Sequence, residues 1–93
     1  MTKTSHNLIM NSLEELKAVD TKILSLKDIS SFTDIMIITS GTSSRHMSAI
    51  SDKIQENLKE QSIPIISVEG KGSSEWVLLD LGDIVVNIMS KSA

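Results

Sequence analysis

The chain has 93 residues, 40% of them hydrophobic, which is enough for one compact domain and leaves no room for a second. The lack of cysteine and the presence of only two histidines exclude a disulfide framework and argue against a zinc site. A net charge of −3, with one tryptophan and one phenylalanine, argues against direct nucleic-acid binding, which needs clustered basic residues or rows of stacking rings.

The sequence shows no targeting signal. It has no run of about 18 apolar residues, and residues 1–11 lack the basic and then apolar pattern of a secretory signal. An amphipathic presequence rich in arginine and serine is also missing, which favours a bacterial cytosolic setting. We therefore expect one cytoplasmic domain over residues 1–93 that does not enter a membrane.

The N-terminal third predicts one helix and one short strand. Ile9, Leu13 and Leu16 recur at helical spacing and predict a helix over residues 7–18. Val19 would extend its apolar stripe. The β-favouring residues that follow predict a strand over residues 22–28.

An uninterrupted apolar run predicts a central strand over residues 34–39, because a strand covered on both faces does not alternate apolar and polar residues. The polar segment 40–44 that follows offers a glycine for a tight turn and hydroxyls that cap helices. A helix then extends to about residue 61. Its predicted core stripe consists of Met47, Ile50, Ile54 and Leu58.

The C-terminal section predicts a short strand at residues 65–68, opened by Pro64, and then a β-hairpin. Residues 76–81 and 84–89 form its strands, joined by a two-residue turn of Gly82 and Asp83. This register pairs Leu81 with Ile84, Leu79 with Val86 and Val77 with Ile88 on a face predicted to lie in the core. Together the elements predict an α/β domain with a mixed five-stranded sheet and two main helices.

The second face of this hairpin is mixed. It pairs Trp76 with Met89, Leu78 with Asn87 and Asp80 with Val85. Because two helices suffice to cover only one side of a five-stranded sheet, this face should stay partly exposed. Its apolar patch with polar edges has the composition of a protein–protein contact. The alternative is plain packing, with Trp76 under the loop of residues 70–75, and sequence logic alone leaves both interpretations open.

A second candidate site lies between the central strand and the long helix. Its members are Ser40, Gly41, Thr42, Arg45 and His46. Backbone N–H groups at a helix N-terminus can bind an anion, and the guanidinium group of Arg45 could donate two parallel hydrogen bonds to it. Helix capping by the hydroxyls is the commoner role of such a segment, which also lacks the P-loop spacing. His46 has no nearby carboxylate in sequence to orient it as a general base, which favours a hydrogen-bonding or interface role.

The sequence does not assemble a catalytic site. Two-metal phosphoryl transfer typically needs carboxylates at i and i+2 on one strand, and residues 34–36 do not provide them. Glu69 and Glu75 flank a glycine loop, and nothing fixes them near Asp80 or Asp83. An enzyme that binds a nucleotide phosphate at the strand–helix junction and a metal at these carboxylates is the least favoured hypothesis. We expect no cofactor and no metal.

Several segments, taken in order, resemble the Iojap-like ribosomal silencing factors over nearly the whole chain. They are Thr33-Asp34, residues 37–46, Val68-Glu69-Gly70, residues 75–80 and residues 82–86. Each segment is weak by itself, whereas the ordered set is specific to the family.

The resemblance implies a nucleotidyltransferase-like fold without the catalytic carboxylates, and a binding factor rather than an enzyme. Members of the family bind the large ribosomal subunit through its protein usually numbered fourteen and sterically block joining with the small subunit. A role in large-subunit assembly, as in organelle relatives, is the alternative. The resemblance favours the interface interpretation of the hairpin, with partner-binding residues Trp76, Leu78, Asp80, Asp83, Asn87 and Met89.

The chain departs from the family pattern at several positions. Ile35 and Met36 stand where the family usually has tyrosine and phenylalanine, and Asn87 stands where it usually has histidine. Family members also commonly continue with an aromatic and charged tail, whereas this sequence ends at Ala93. An apolar hairpin edge and this early end are compatible with a homodimer, although the sequence does not fix the oligomeric state.

Overall fold

The computed structural model describes residues 2–70, 72 and 75–91. Its elements are α1 (Thr2–Glu15), β1 (Val19–Ser25), β2 (Ile35–Gly41), α2 (Ser44–Glu60), β3 (Ser67–Glu69), β4 (Trp76–Asp80) and β5 (Ile84–Ser90). The sheet has five strands in the order β1-β2-β5-β4-β3, with β2 and β5 parallel and every other neighbouring pair antiparallel. The predicted mixed five-stranded sheet with two helices is confirmed.

The first helix lies earlier than the sequence indicated. α1 begins at Thr2 rather than near residue 7, and it ends at Glu15 because Lys17 adopts a positive φ of 56° that breaks the helix. Ile9 and Leu13 are buried as predicted. Val19, expected on the helical stripe, instead opens β1.

The two edge strands also shift. β1 covers Val19–Ser25 instead of residues 22–28, and its pairing with β2 is interrupted between Val19 and Lys22, where Asp20 has a φ of 53°. β3 is the three-residue strand Ser67–Glu69 instead of residues 65–68. An edge strand pairs on one side only, so its ends are less strongly specified than those of an inner strand.

The prediction that β2 is covered on both faces is wrong. β2 lies inside the sheet between β1 and β5, with Ile37 and Thr39 fully buried. Met36 and Ile38, which point to the other face, are only partly buried. A continuous apolar run therefore marks here a strand with one core face and one apolar face that no helix covers.

The predicted hairpin register is confirmed at every pair of β4 with β5. Val77 pairs with Ile88 and Leu79 with Val86 on one face, and Leu78 pairs with Asn87 on the other. The Leu81 N–H donates to the carbonyl of Ile84 at 2.9 Å, which closes the two-residue turn. Gly82 has a φ of 95°, a conformation that favours glycine in such turns.

The core lies between the sheet and both helices. α2 packs on β2, β4 and β5, while α1 packs on α2 and β5, so both helices cover the same face. Every member of the predicted α2 stripe is fully buried: Met47, Ile50, Ile54 and Leu58. They meet the aliphatic sheet face, whose buried members are Ile37, Val77, Leu79, Ile84, Val86 and Ile88. The opposite face of the sheet is left without a covering layer among the described residues.

Candidate functional site

The uncovered face of the hairpin carries an open groove of about 360 Å³. Its lining residues are Glu69, Glu75, Trp76, Leu78, Asn87 and Met89. Four of the predicted partner-binding residues therefore come together: Trp76, Leu78, Asn87 and Met89. Alternation along β4 and β5 turns these side chains away from the core, so the same pattern that builds the core also builds the groove.

Trp76 lies against Gly70 and is also partly exposed. Its ring lies against Gly70, where an added Cβ would come within 2.7 Å of ring atoms Cε3 and Cζ3. The backbone of Gly70 thus supports one face of the indole, while residues 71, 73 and 74 of the predicted covering loop lie outside the described residues. The side chain is still 42% exposed, so an aromatic surface remains available for contact.

The two hairpin aspartates have different positions. Asp80 lies on the groove side of β4, and its Oδ1 accepts a hydrogen bond from the Gly82 N–H at 2.8 Å. Asp83 is in the turn, and its carbonyl accepts from the N–H groups of Asp34 and Ile35. Asp83 is therefore at the end of the hairpin opposite Trp76 and outside the groove, and Asp80 helps to hold the turn.

The strand–helix junction uses several of its donors internally. Ser43 is the N-cap of α2, and its Oγ accepts from the His46 N–H at 3.0 Å. The Thr42 N–H donates to Nδ1 of His46 at 2.9 Å. These bonds support the capping interpretation of the segment, while anion binding stays a prediction.

His46 also joins this junction to the N-terminal helix. Its Nε2 lies 2.6 Å from the carbonyl oxygen of Leu16, so Nε2–H donates while Nδ1 accepts from Thr42. Arg45, its neighbour, is exposed, whereas Gly41 is buried, with an added Cβ 2.7 Å from Cγ of Met47. The hydrogen-bonding role predicted for His46 is confirmed, while its alternative interface role stays a prediction.

Ser40 belongs with the groove face rather than with the junction. It pairs with Met89 of β5, which places its side chain on the uncovered side of the sheet. Glu69 and Glu75, which sequence reasoning considered only as metal ligands, also line the groove. Among the described ranges no three side chains of histidine, cysteine, aspartate or glutamate are grouped to hold a metal ion. Within the same ranges no helix is both long and apolar enough to cross a membrane.

Comparison with known proteins places this geometry in a family. The sequence profile described as "Ribosomal silencing factor during starvation" matches residues 2–93. The chain belongs to the ribosomal silencing factor family. A ribosomal silencing factor of Haemophilus influenzae is 38% identical over 85 residues, which cover 91% of this chain and 83% of that protein.

Other similar proteins include a solved structure and a protein named for large-subunit assembly. A crystal structure of a Chromobacterium violaceum protein superposes with a TM-score of 0.90 at 35% identity, covering 95% of this chain and 73% of that one. A mouse protein named "Mitochondrial assembly of ribosomal large subunit protein 1" is 30% identical over 86 residues, 89% of this chain and 38% of its own length. The fold of this chain is therefore that of the family, and its relatives carry names for both silencing and assembly.

Proposed function

We propose that this chain binds the large ribosomal subunit through the protein usually numbered fourteen, sterically blocks joining with the small subunit and so represses translation. The observation that carries the proposal is the groove around Trp76 on a sheet face that neither helix covers. A half-exposed aromatic beside Leu78 and Met89, with carboxylates at the edge, has the composition of an interface hot spot.

The groove suits a protein surface better than a small substrate. The groove is open to solvent along the sheet, whereas small-molecule sites enclose and bury most of their ligand. Its polar side chains include Glu69 and Glu75 and, among the described residues, no cation. A basic partner surface complements such a groove, and ribosomal proteins supply basic surfaces.

The test is co-sedimentation with separated large and small subunits, followed by a joining assay at fixed magnesium. The wild-type protein should pellet with large subunits but not with small subunits, and it should suppress joining of the two. Trp76→Ala should weaken binding by about 1–3 kcal/mol while leaving the thermal unfolding transition largely in place. Phe32→Ala is the matched control, because this aromatic is 89% exposed in the loop between β1 and β2, away from the groove. Equal binding by wild type and Trp76→Ala would remove the groove from consideration.

Asp80 needs a more careful substitution. Asp80→Ala removes both the charge and the acceptor for the Gly82 N–H, so lost binding would not separate contact from turn stability. Asp80→Asn keeps a side-chain oxygen for that bond and removes only the charge. A loss of large-subunit binding by Asp80→Asn without loss of stability would assign the carboxylate to the partner contact.

Large-subunit assembly is the second candidate function, favoured by the name of the mouse relative. Both roles use the same binding event, so a binding assay does not distinguish them. An experiment in cells does. Deleting the gene should leave large-subunit maturation intact if the protein only silences, and should cause precursor particles to accumulate if it assembles. Sucrose-gradient profiles of growing and starved cells distinguish the two results.

A further inference from the structure

The uncovered face of the sheet continues well beyond the hairpin. Leu24 on β1 pairs with Met36 on β2, and Met36 pairs with Val85 on β5. In the next row Ile38 pairs with Asn87. Paired residues point to the same side of a sheet, so these apolar side chains extend the groove across β5 and β2 to the outer strand.

This extended surface, here called the open face, has seven apolar members. They are Leu24, Met36, Ile38, Trp76, Leu78, Val85 and Met89. None of them belongs to the buried core, and Leu24 at one end, 43% exposed, is about as accessible as Trp76 at the other, 42% exposed. A contiguous apolar surface of this extent on a small domain marks a contact with another macromolecule.

Asn87 lies in the middle of the open face. Its side chain stands between Ile38 and Leu78 in the paired strands, and Val85 and Met89 flank it along β5. Its Oδ1 atom is buried and has no hydrogen-bond partner among the described residues. A buried acceptor without a donor is unfavourable, and a partner that brings an N–H or O–H group to this position would satisfy it.

Charged side chains are distributed unevenly across the open face. Glu69 and Glu75 line the groove at the β3–β4 side. On the opposite side Lys22 of β1 pairs with Ile38, next to the apolar row. A partner that covers the whole face should therefore place basic groups over the groove and apolar groups over β2.

We infer that the whole open face, from Trp76 across to Leu24, is a single docking surface for the same basic ribosomal protein. In this arrangement Met36 and Ile38 pack against apolar side chains of the partner, and Asn87 accepts a hydrogen bond from it. The inference rests on the proposed function, adds β1 and β2 to the binding residues and gives the amide of Asn87 a specific role as a hydrogen-bond acceptor. The acidic groove favours this basic occupant over a second copy of the chain.

Ile38→Glu tests the β2 half of the open face. The variant should weaken sedimentation with isolated large subunits by at least about tenfold, because a carboxylate would be buried in an apolar contact. Ile29→Glu makes the same change in the loop between β1 and β2, where Ile29 is 81% exposed, and should bind within about twofold of wild type. Urea unfolding of both variants checks that the fold is retained.

The outcomes separate the inference from the proposed function. If Trp76→Ala loses binding while Ile38→Glu binds like wild type, the contact is confined to the hairpin, and the inference fails while the function stands. If wild type does not bind large subunits, both fail. If Ile38→Glu abolishes self-association in analytical ultracentrifugation and leaves ribosome binding unchanged, the β2 half contacts a second copy, which also overturns the inference.

Asn87→Leu gives a second test, because it should raise stability and weaken large-subunit binding. Removing the unpaired buried oxygen should raise the stability of the isolated protein, since an apolar side chain suits this environment. The same change should weaken large-subunit binding about tenfold or more, because the donor of the partner would lose its acceptor. Unchanged or tighter binding by Asn87→Leu would show that no partner donor faces this position.

Discussion

The Nε2 atom of His46, at the start of α2, lies 2.6 Å from the carbonyl oxygen of Leu16, just beyond the end of α1. The other ring nitrogen accepts from the Thr42 N–H at 2.9 Å. One imidazole thus joins the end of α1, the end of β2 and the first turn of α2. Its two nitrogens have opposite hydrogen-bonding roles, which requires the neutral ring with the proton on Nε2.

His46→Ala should lower the free energy of unfolding by about 1–3 kcal/mol, because the Leu16 carbonyl and the Thr42 N–H each lose their partner. Arg45→Ala is the control, since Arg45 is the exposed neighbour on the same turn. Urea unfolding monitored by circular dichroism measures both. A loss for His46→Ala no larger than that for Arg45→Ala would show that the bridge contributes nothing to stability.

The β4–β5 hairpin could be predicted in full because its information is local. Alternation fixes which residues face the core, and Gly82 with Asp83 fixes the turn and hence the register from Trp76 to Met89. The α2 stripe is equally local. In contrast, the Leu16–His46 contact joins residues 30 positions apart, and no short motif encodes it.

Other features escaped prediction because composition does not distinguish their alternatives. The first residues of α1 are mostly polar, so an apolar stripe could not show that the helix begins at Thr2. The apolar run of β2 could be read as a strand buried on both faces or as one face for the core and one for a partner. Both helices lie on one side of the sheet, and only this position shows that Met36 and Ile38 face away from the core.

Gly70→Ala should displace the indole of Trp76. Gly70 has a φ of 78°, and a Cβ there would lie 2.6 Å from the Trp76 carbonyl oxygen and 2.7 Å from its ring. Gly72→Ala is a matched control, because Gly72 also has a positive φ, 90°, but nothing lies within 4 Å of the added Cβ. Both variants incur the backbone cost of about 1–2 kcal/mol. Gly70→Ala should lose more unfolding free energy than Gly72→Ala and should shift the tryptophan fluorescence maximum. The difference between the two variants measures how strongly the ring packs on Gly70.

The opposite result would show that Gly70 does not position the indole. Equal destabilisation by Gly70→Ala and Gly72→Ala, with unchanged fluorescence, would show that the loop does not hold the indole. The contact surface of Trp76 would then not be preformed by Gly70.

Ser43→Ala should destabilise the protein by about 0.5–2 kcal/mol through loss of the N-cap of α2. The Ser43 Oγ accepts from the His46 N–H at 3.0 Å, and alanine offers no acceptor. Ser44→Ala is the control, because Ser44 is the first helical residue and alanine is favourable there. The midpoint of urea unfolding should fall for Ser43→Ala alone, and parallel shifts in both variants would contradict the capping role.

The ion pair between Lys53 and Glu15 links the two helices and predicts a pH effect. A hydrogen bond and attraction from Glu15 at 3.1 Å raise the pKa of Lys53, and Glu56 at 3.8 Å adds a smaller attraction. In an NMR titration the midpoint of Lys53 should be lower in Glu15→Gln than in wild type. Glu56→Gln, the control, should lower it less.

The same shift fixes the sign of the pH dependence of stability. Because the folded-state pKa of Lys53 is raised, the pair stabilises the protein fully below the unfolded value of about 10.5 and loses this effect as pH rises through the folded value. The stability of wild type relative to Glu15→Gln should therefore be constant from neutral pH to about pH 10 and shrink above it. The pair is partly exposed, so the difference should be small and should fall with added salt. A difference that grows above pH 10.5 would show that Glu15 stabilises α1 by another route.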